Sequence, residues 1–379
     1  MILSSPKTTC LDTFTWGNLA RDVPSDNTAR ALVKRFQEGR IVPYLTWHHI
    51  AELLHHEDED VVRQRISFLR TLPFIGFLRQ PESQAYIGSI LDLRDAEIGQ
   101  LLTNPTLSHR EIVERVRPLA TNGFTSGSQL CEENEEWWSI YRKHFASDVR
   151  RRQAEVSALT HFPNADLSEQ VVGTDRKYHV RPLQEAQATF ARLAEELSAR
   201  LAKDVKKPLA DPKKLAWELM REAYEEGLVM YGSAEEGINP LLKVYDVERD
   251  RIPSKATVGD VGEEAVFIKQ LSINEQRLGL PIESLRQFIR KEMLPSWQVG
   301  SDIDRAIKRL PKAESGNLND KFVVPFGLYV DALQVDKRVR HCVDELARNS
   351  ELISIIKERL LRGRTCDELA SELDVIGSG

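Results

Sequence analysis

Residues 8–21 read TTCLDTFTWGNLAR, and this stretch introduces the pattern from which the fold is predicted. Its first part, residues 8–13, is short and rich in apolar and β-branched side chains, which predicts a buried strand. The chain then alternates between helical and extended patterns, with helices predicted over 26–38, 47–57 and 59–70 and strands over 41–45 and 74–79. Strands that alternate with helices are typical of a parallel sheet, so this part of the chain predicts an α/β fold.

Residues 96–310 show a different pattern. They contain long stretches with helical spacing that are rich in Ala, Leu, Glu, Lys and Arg, at 132–160, 182–206, 211–231 and 258–279. Few strand-like runs interrupt them, so we predict an all-helical region, which is too long to be a loop. The apolar run FVVPFGLYVDALQV at 322–335 then restores the α/β pattern, and a helical pattern extends from Asp336 to residue 363.

The length of 379 residues predicts two or three domains, or one domain with a large insertion. We predict a parallel-sheet α/β domain that is discontinuous, formed by 1–95 and 311–365, and interrupted by an all-helical insertion over 96–310. Residues 366–379 are predicted to form a short C-terminal helix and tail. A chain of two sequential domains is the alternative organisation.

The composition is that of a soluble globular protein, with 41% hydrophobic and 29% charged residues. No run of about 18 apolar residues occurs and the N-terminus lacks a secretory pattern, so we expect a cytoplasmic protein that does not span a membrane. Four dispersed cysteines argue against a disulfide framework or a zinc site. The net charge of −6 is spread evenly along the chain, so any contact with nucleic acid requires a local basic patch.

Four carboxylates stand at positions that suit a functional site. Asp12 is predicted at the end of the first strand, where parallel-sheet proteins bind ligands. Glu52 lies among apolar neighbours on the helix after the second strand, where an unpaired carboxylate is energetically costly. Asp320 begins the returning α/β part, and Asp336 follows its apolar run. Any one of these residues, taken alone, could instead cap a helix or form a turn.

Carboxylates that cluster repel one another, and a bound cation relieves this repulsion. Hard oxygen ligands favour Mg²⁺ or Mn²⁺. Such a site can polarise a phosphate, activate a water molecule and orient attack on a phosphodiester. A cluster of these four carboxylates would therefore suit phosphodiester hydrolysis.

Three segments resemble the motifs of PIN-domain nucleases. CLDTFTWGNLAR (10–21) resembles their opening strand, and GRIVPYLTWHHIAELL (39–54) is similar to their second strand and the following helix. NDKFVVPFGLYVDALQVDKRVRHCV (319–343) is similar to their C-terminal part, in which one Asp opens a helix and a second Asp at a strand end precedes Lys or Arg. The resemblance covers about 5–80 and 317–345, and the order of the acidic positions fits the family.

The resemblance implies a PIN-like nuclease domain with Mg²⁺ or Mn²⁺ as its cofactor. The catalytic and metal-binding residues that it implies are Asp12, Glu52, Asp320 and Asp336, with Thr13 and Asp331 as supporting residues. Two features depart from the family pattern. Phe14 occupies a position where Asn is common, and the gap between Glu52 and Asp320 is far longer than in a compact PIN domain.

The function that the resemblance implies is a metal-dependent endonuclease that cleaves RNA, in a family that includes toxins and anti-phage defence effectors. A structure-specific DNA nuclease is one alternative. A catalytically inactive PIN-like helical interaction scaffold is another, motivated by Phe14 and by the size of the insertion. The predicted partners are therefore an RNA substrate or DNA, and a protein regulator or a second copy of the chain bound through the insertion.

Basic residues close to aromatic residues are candidates for nucleic-acid contact. The segment RKHFASDVRRR (142–152) contributes Arg142, Lys143, Arg150, Arg151 and Arg152, and Lys337 and Arg338 follow Asp336. Trp137, Trp138 and Tyr141 lie beside the basic segment. In one interpretation the basic side chains bind phosphates and an aromatic side chain stacks on a base. In the other, which we favour, the aromatic side chains are packed in the core and the basic ones are solvated.

Overall fold

The computed structural model describes residues 6–38, 41–56, 58–80, 86–160, 191–192, 194–199, 201–202, 211–218, 221, 242, 246–253, 258–310 and 317–378. The side chains at 144–160, 258–259, 308, 317–318 and 378 are outside this description. The chain divides into two compact units, one formed by 1–146 and 291–379 and the other by 147–290. Within the described ranges, no helix is both long and apolar enough to cross a bilayer.

The first unit begins with helices and strands in alternation. In chain order they are β1 (Lys7–Cys10), α1 (Thr13–Asp22), α2 (Asn27–Gln37), β2 (Ile41–Pro43), α3 (Trp47–Leu54), α4 (Glu59–Arg70), β3 (Ile75–Phe77), α5 (Ile90–Thr103), α6 (His109–Ala120), β4 (Gly123–Thr125) and α7 (Gly127–Thr160). The last of these helices extends past residue 146 and so contributes to both units.

The described part of the second unit is helical. It includes a 3₁₀ turn at Arg249–Arg251 and the helices α8 (Val258–Leu278) and α9 (Ile282–Phe288). The first unit resumes with α10 (Pro295–Lys308), α11 (Asn317–Val323), a 3₁₀ turn at Val324–Leu328, β5 (Ala332–Leu333), α12 (Lys337–Leu346), α13 (Glu351–Glu358) and α14 (Cys366–Ser378).

A small parallel sheet lies at the centre of the first unit. Its strand order is β2-β1-β5, with Thr9 opposite Pro43 on one side and Ala332 on the other. β3 and β4 form an antiparallel pair, and a parallel bridge between Tyr44 and Gly76 connects this pair to the end of β2. Nearly every residue of the parallel strands is buried, as expected for a parallel sheet that is covered by helices.

The helix that follows β1 is anchored by the apolar core. Trp16 of α1 is 1% exposed and stacks on Phe36 of α2, with the ring centroids 6.1 Å apart. Leu19 and Leu32 are fully buried in the same cluster. Because these contacts fix α1 against the sheet, they also fix the position of Asp12, which directly precedes the helix.

The predicted N-terminal elements agree with the structure in type and order. The helices predicted over 26–38, 47–57 and 59–70 correspond to α2, α3 and α4, and the strands predicted over 41–45 and 74–79 correspond to β2 and β3. The first strand ends at Cys10 rather than at residue 13, because Asp12 caps the additional helix α1.

One prediction for the later part of the chain is wrong. The region 96–310 is not all-helical, because it contains β4, which pairs with β3. The apolar run 322–335 forms the end of α11, a 3₁₀ turn and the short strand β5, so only its last part is extended. Pro325 has no N–H to donate to a strand ladder, and a Cβ at Gly327 would collide with the side chain of Leu333.

The first unit is larger than the predicted discontinuous domain. It includes α5, α6 and α10, which lie mostly or wholly in the segment predicted as an insertion. α5 packs against α6 and α10, and α10 packs in turn against α11 and α12. The boundaries of the unit at residues 146 and 291 therefore differ from the predicted ones at 95 and 311.

The backbone at Gly127 lies so close to the backbone at Leu69 that one added methyl group should destabilise the folded state. The Gly127 N–H donates to the Leu72 carbonyl at 2.9 Å, and a Cβ at Gly127 would collide with the Leu69 carbonyl. We expect Gly127→Ala to lower the free energy of unfolding by about 3 kcal/mol, the upper end of the usual range for overpacking.

Gly99→Ala is the matched control for Gly127→Ala. A Cβ at Gly99 meets no described atom within 4 Å, so this substitution in α5 should raise the free energy of unfolding by up to about 1 kcal/mol. Urea denaturation measures both changes. Equal denaturation midpoints for the two variants would contradict the close approach at Gly127.

Candidate active site

A cleft of about 960 Å³ lies at the carboxyl ends of β1, β2 and β5. The segments that leave these strands contribute to its wall, because the carboxyl ends of parallel strands meet at one edge of a sheet. Its acidic side chains are Asp12, Glu52, Asp320 and Asp336, and its basic side chains are Arg21, Arg65, Lys337, Arg340 and Arg364. All four predicted catalytic carboxylates therefore line a single cleft.

Asp12 is fixed by hydrogen bonds at the start of α1. It is the N-cap of this helix, where its Oδ1 accepts a hydrogen bond from the Phe14 N–H at 2.8 Å. Its own N–H donates to Oε1 of Gln334 at 3.2 Å, which connects the end of β1 to the segment after β5. Thr13, the predicted supporting residue, is the first residue of α1 and also lines the cleft.

Glu52 reaches the cleft from α3. Thr46 and His49 form a capping box at the start of this helix, and His49 is fully buried. The Glu52 carboxylate accepts a hydrogen bond from the side-chain amide of Asn319. Arg65 donates to the Glu52 backbone carbonyl at 3.4 Å, so a cation lies next to this carboxylate.

The other two carboxylates come from the C-terminal part of the chain. Asp320 lies in α11, directly after Asn319. Asp336 is the N-cap of α12, where its Oδ1 accepts a hydrogen bond from the Val339 N–H at 2.7 Å. Asp12 and Asp336 therefore cap helices and also line the cleft, and the capping bonds hold both carboxylates in place.

The surroundings of Asp12 and Asp320 disfavour the charged forms of these two carboxyl groups. Burial raises the pKa of Asp12 to about 6; the hydrogen bond from Phe14 opposes this rise, and the charges of Asp336 and Glu52 add to it. Burial also raises the pKa of Asp320 to about 8, and the charges of Asp336, Asp12 and Glu52 act in the same direction. The cleft therefore favours a bound proton or cation over the bare carboxylates.

The donor atoms suit a hard divalent cation. Among the described residues, no group of three His, Cys, Asp or Glu side chains is already arranged to hold a metal ion. One oxygen each of Asp12, Glu52 and Asp336 accepts a hydrogen bond within the protein, and the other oxygen accepts none from the described residues. Carboxylate oxygens of this kind are the ligands that Mg²⁺ and Mn²⁺ prefer.

The predicted nucleic-acid-binding residues are not all brought to the cleft. Lys337 is exposed and lines it, whereas Arg338 is not part of its described lining. Arg142 pairs with Glu59 at 3.8 Å, and Lys143 is exposed. The side chains of three further predicted residues lie outside the described residues, namely Arg150, Arg151 and Arg152.

Two aromatic side chains beside the basic segment pack within the first unit. Trp138 is 5% exposed and belongs to the main apolar cluster. Tyr141 packs edge-on against Trp47, with the ring centroids 4.7 Å apart. These contacts fit the packing interpretation of Trp138 and Tyr141 better than base stacking.

Asp331, the second predicted supporting residue, lies at the opposite edge of the sheet. It precedes β5 and accepts hydrogen bonds from the Thr8 N–H at 2.9 Å and from the Arg117 guanidinium at 2.8 Å. Lys7 lies 3.8 Å from the same carboxylate. Asp331 therefore connects the amino ends of β1 and β5 to α6 and does not reach the cleft.

Sequence patterns do not indicate several residues of the cleft. Asn319 positions Glu52, and Gln334 positions the backbone of Asp12. Neither Asn319 nor Gln334 belongs to a charged or catalytic sequence pattern. Arg340 follows Asp336 by four residues on α12, so helical spacing could have placed it on the same side. For Arg364, in the loop before α14, the local sequence contains no such indication.

The geometry of the cleft is thus compatible with a cation that neutralises its carboxylates and with an anion that meets its basic side chains. Comparison of the sequence with protein-family models and with curated proteins, and of the structure with solved structures, finds no match.

Proposed function

We propose that the protein is a metal-dependent endonuclease with a PIN-like fold and that the cleft is its active site. The observation that carries this proposal is the convergence of four carboxylates from separate elements on one cleft that also holds Lys337, Arg340 and Arg364. Half-buried carboxylates that lie close together favour a cation, and the exposed side chains of Lys337 and Arg364 favour a polyanion. A phosphodiesterase that uses a metal ion needs both properties in one place.

RNA is the proposed substrate, and this choice rests on the resemblance of residues 10–21, 39–54 and 319–343 to PIN-domain nucleases, which is an argument by analogy. The arrangement of the sheet is compatible with this resemblance. β1 lies between β2 and β5, and an acidic residue of the cleft follows each of these strands in the chain.

The residues of the cleft have distinct roles in this proposal. Asp12, Glu52, Asp320 and Asp336 would hold one or two divalent ions, and bound Mg²⁺ or Mn²⁺ would supply charge neutralisation and an activated water for phosphodiester hydrolysis. Asn319 holds the Glu52 carboxylate in position, and Gln334 holds the Asp12 backbone. Lys337 and Arg364 would bind phosphates of the substrate as exposed cations.

A cleavage assay tests the proposed function directly. Structured RNA, transfer RNA and single-stranded DNA are incubated with the protein in Mg²⁺, in Mn²⁺ and in EDTA. We expect cleavage of RNA that requires a divalent metal and stops in EDTA. Cleavage of DNA alone would replace the proposed substrate, and no cleavage of any substrate by folded protein would favour the inactive scaffold.

Thermal unfolding with Mn²⁺ separates an enzyme from a scaffold without measuring activity. A ligand at 100 times its Kd stabilises the folded state by about 2.7 kcal/mol, which corresponds to a rise in Tm of about 5–10 °C for a unit of this size. We expect such a rise for the wild type and its loss in Asp12→Asn and Asp320→Asn. The same rise in these variants as in the wild type would place the metal outside the cleft.

A further inference from the structure

Phe14 places a large aromatic side chain in solvent beside the acidic cleft. It is 75% exposed and lines the cleft next to Asp12. Trp16, two residues later, is 1% exposed and packs in the core. Helix α1 therefore turns Trp16 towards the core and leaves the ring of Phe14 available to a ligand. Covering this ring would remove apolar surface from water.

Exposed basic side chains line the same cleft. Lys337 on α12 and Arg364 in the loop before α14 are exposed there. Arg21 on α1 is also exposed, but its guanidinium pairs with the Asp22 carboxylate at 2.7 Å. Cations at separate positions suit a ligand that carries several anionic groups. The ring of Phe14 adds a flat apolar face without any hydrogen-bonding group, which suits the face of a heteroaromatic ring.

We propose that Phe14 is the base-stacking residue of the cleft and holds an unpaired base of the substrate beside the carboxylates. This inference rests on the proposed function and names one of its substrate-positioning residues. Phe14 stacks on an unpaired base, while Lys337 and Arg364 bind the phosphates of the same strand. Its position next to Asp12 places the stacked base beside the carboxylates of the proposed catalytic site.

The geometry of stacking distinguishes a single strand from a duplex. In a duplex each base is covered on both faces by its neighbours, so an aromatic side chain cannot reach a face without unstacking the helix. In a single strand the face is open. Because Phe has no donor or acceptor, it cannot read a base edge, and the preference should be for strand state rather than for sequence.

The test measures binding separately from cleavage. A single-stranded RNA oligomer with one internal 2-aminopurine, and the same oligomer annealed to its complement, are titrated with protein in the Asp12→Asn background with Mg²⁺. The variants are Phe14→Ala and Phe14→Trp. Phe288→Ala is the matched control, since Phe288 is 56% exposed and is not part of the described lining of the cleft.

We expect Phe14→Ala to weaken binding of the single strand by about 10-fold and to abolish quenching of 2-aminopurine fluorescence. Phe14→Trp should retain both, because indole presents a larger stacking face. Phe288→Ala should bind as the parent does, and duplex affinity should not depend on residue 14. Thermal unfolding checks that the exposed substitution leaves the fold intact.

Two outcomes separate this inference from the proposed function. If Phe14→Ala binds the single strand as tightly as the parent and with the same quenching, base stacking by Phe14 is refuted, while metal-dependent cleavage by the wild type can still stand. If binding depends on Phe14 but the wild type cleaves nothing, the nuclease proposal fails, and the cleft is a single-strand binding site.

Discussion

Asp12→Asn is expected to reduce metal-dependent RNA cleavage by at least about 100-fold and to leave the fold intact. The substitution removes one negative charge from the proposed metal site, and a catalytic ion contributes several kcal/mol to stabilising the transition state. Asn is as good an N-cap as Asp, so the side-chain oxygen can still accept the hydrogen bond from the Phe14 N–H. The expected loss is therefore chemical rather than structural.

The effect of Asp12→Asn on stability has a predicted sign. The pKa of Asp12 is raised to about 6 by burial and by the charges of Asp336 and Glu52, so its ionised form destabilises the folded state without metal. Removing this charge should leave Tm unchanged or raise it in EDTA. The same change also lowers the repulsion at Asp320, whose pKa should fall.

Asp26→Asn is the matched control for Asp12→Asn. Asp26 is the N-cap of α2 and accepts a hydrogen bond from the Thr28 N–H at 2.8 Å, which is the same local chemistry. It is not part of the described lining of the cleft. Cleavage rates and Mn²⁺-dependent Tm should match the wild type in this control. An Asp12→Asn protein that cuts at the wild-type rate would remove Asp12 from the active site.

Glu97→Ala is expected to lower the free energy of unfolding by about 4 kcal/mol. Glu97 is fully buried in α5 and accepts hydrogen bonds from the Ser296 N–H at 3.0 Å, from the Ser296 hydroxyl at 2.8 Å and from the Tyr329 hydroxyl. Truncation leaves these buried donors without an acceptor, and each costs about 1–3 kcal/mol. These bonds join α5, α10 and the segment before β5, so their loss should destabilise the whole first unit.

Glu97→Gln is the control, and it also isolates a pH effect. Gln keeps a carbonyl oxygen for the donors and removes the ionisable group. Burial raises the pKa of Glu97 to about 7, and the hydrogen bonds from Tyr329 and Ser296 and the charge of Arg94 oppose this rise only in part. The folded state therefore holds this proton at a higher pH than the unfolded state does.

The sign of the pH effect follows from that difference. The Glu97 carboxyl ionises at a lower pH in the unfolded state than in the folded state, so wild-type stability should fall as the pH rises from about 4.5 to about 7. The expected loss in the free energy of unfolding is about 2 kcal/mol between pH 5 and pH 8. Glu97→Gln should lack this part of the dependence. Urea denaturation of both proteins at the two pH values measures it, and parallel curves for the two proteins would show that Glu97 is ionised in the folded state.

Local sequence patterns were sufficient to predict the helices and strands over 26–79, whose formation depends on neighbouring residues. The alternation of patterns over 26–79 indicates α2, α3, α4, β2 and β3 correctly, and the strand ends direct attention to Asp12 and Asp336. It could not separate the capping role of these two residues from a role in the cleft, because both roles use the same carboxylate at the same place.

The long-range contacts could be seen only in the folded chain. Glu97 meets Ser296 and Tyr329 across a segment that local periodicity assigned to an insertion, and Asp331 pairs with Arg117 instead of supporting the cleft. A periodic pattern records which face of an element is apolar, but not which distant element covers it. The burial and mutual repulsion that raise the pKa of Asp320 likewise arise only after the carboxyl ends of β1, β2 and β5 are brought together.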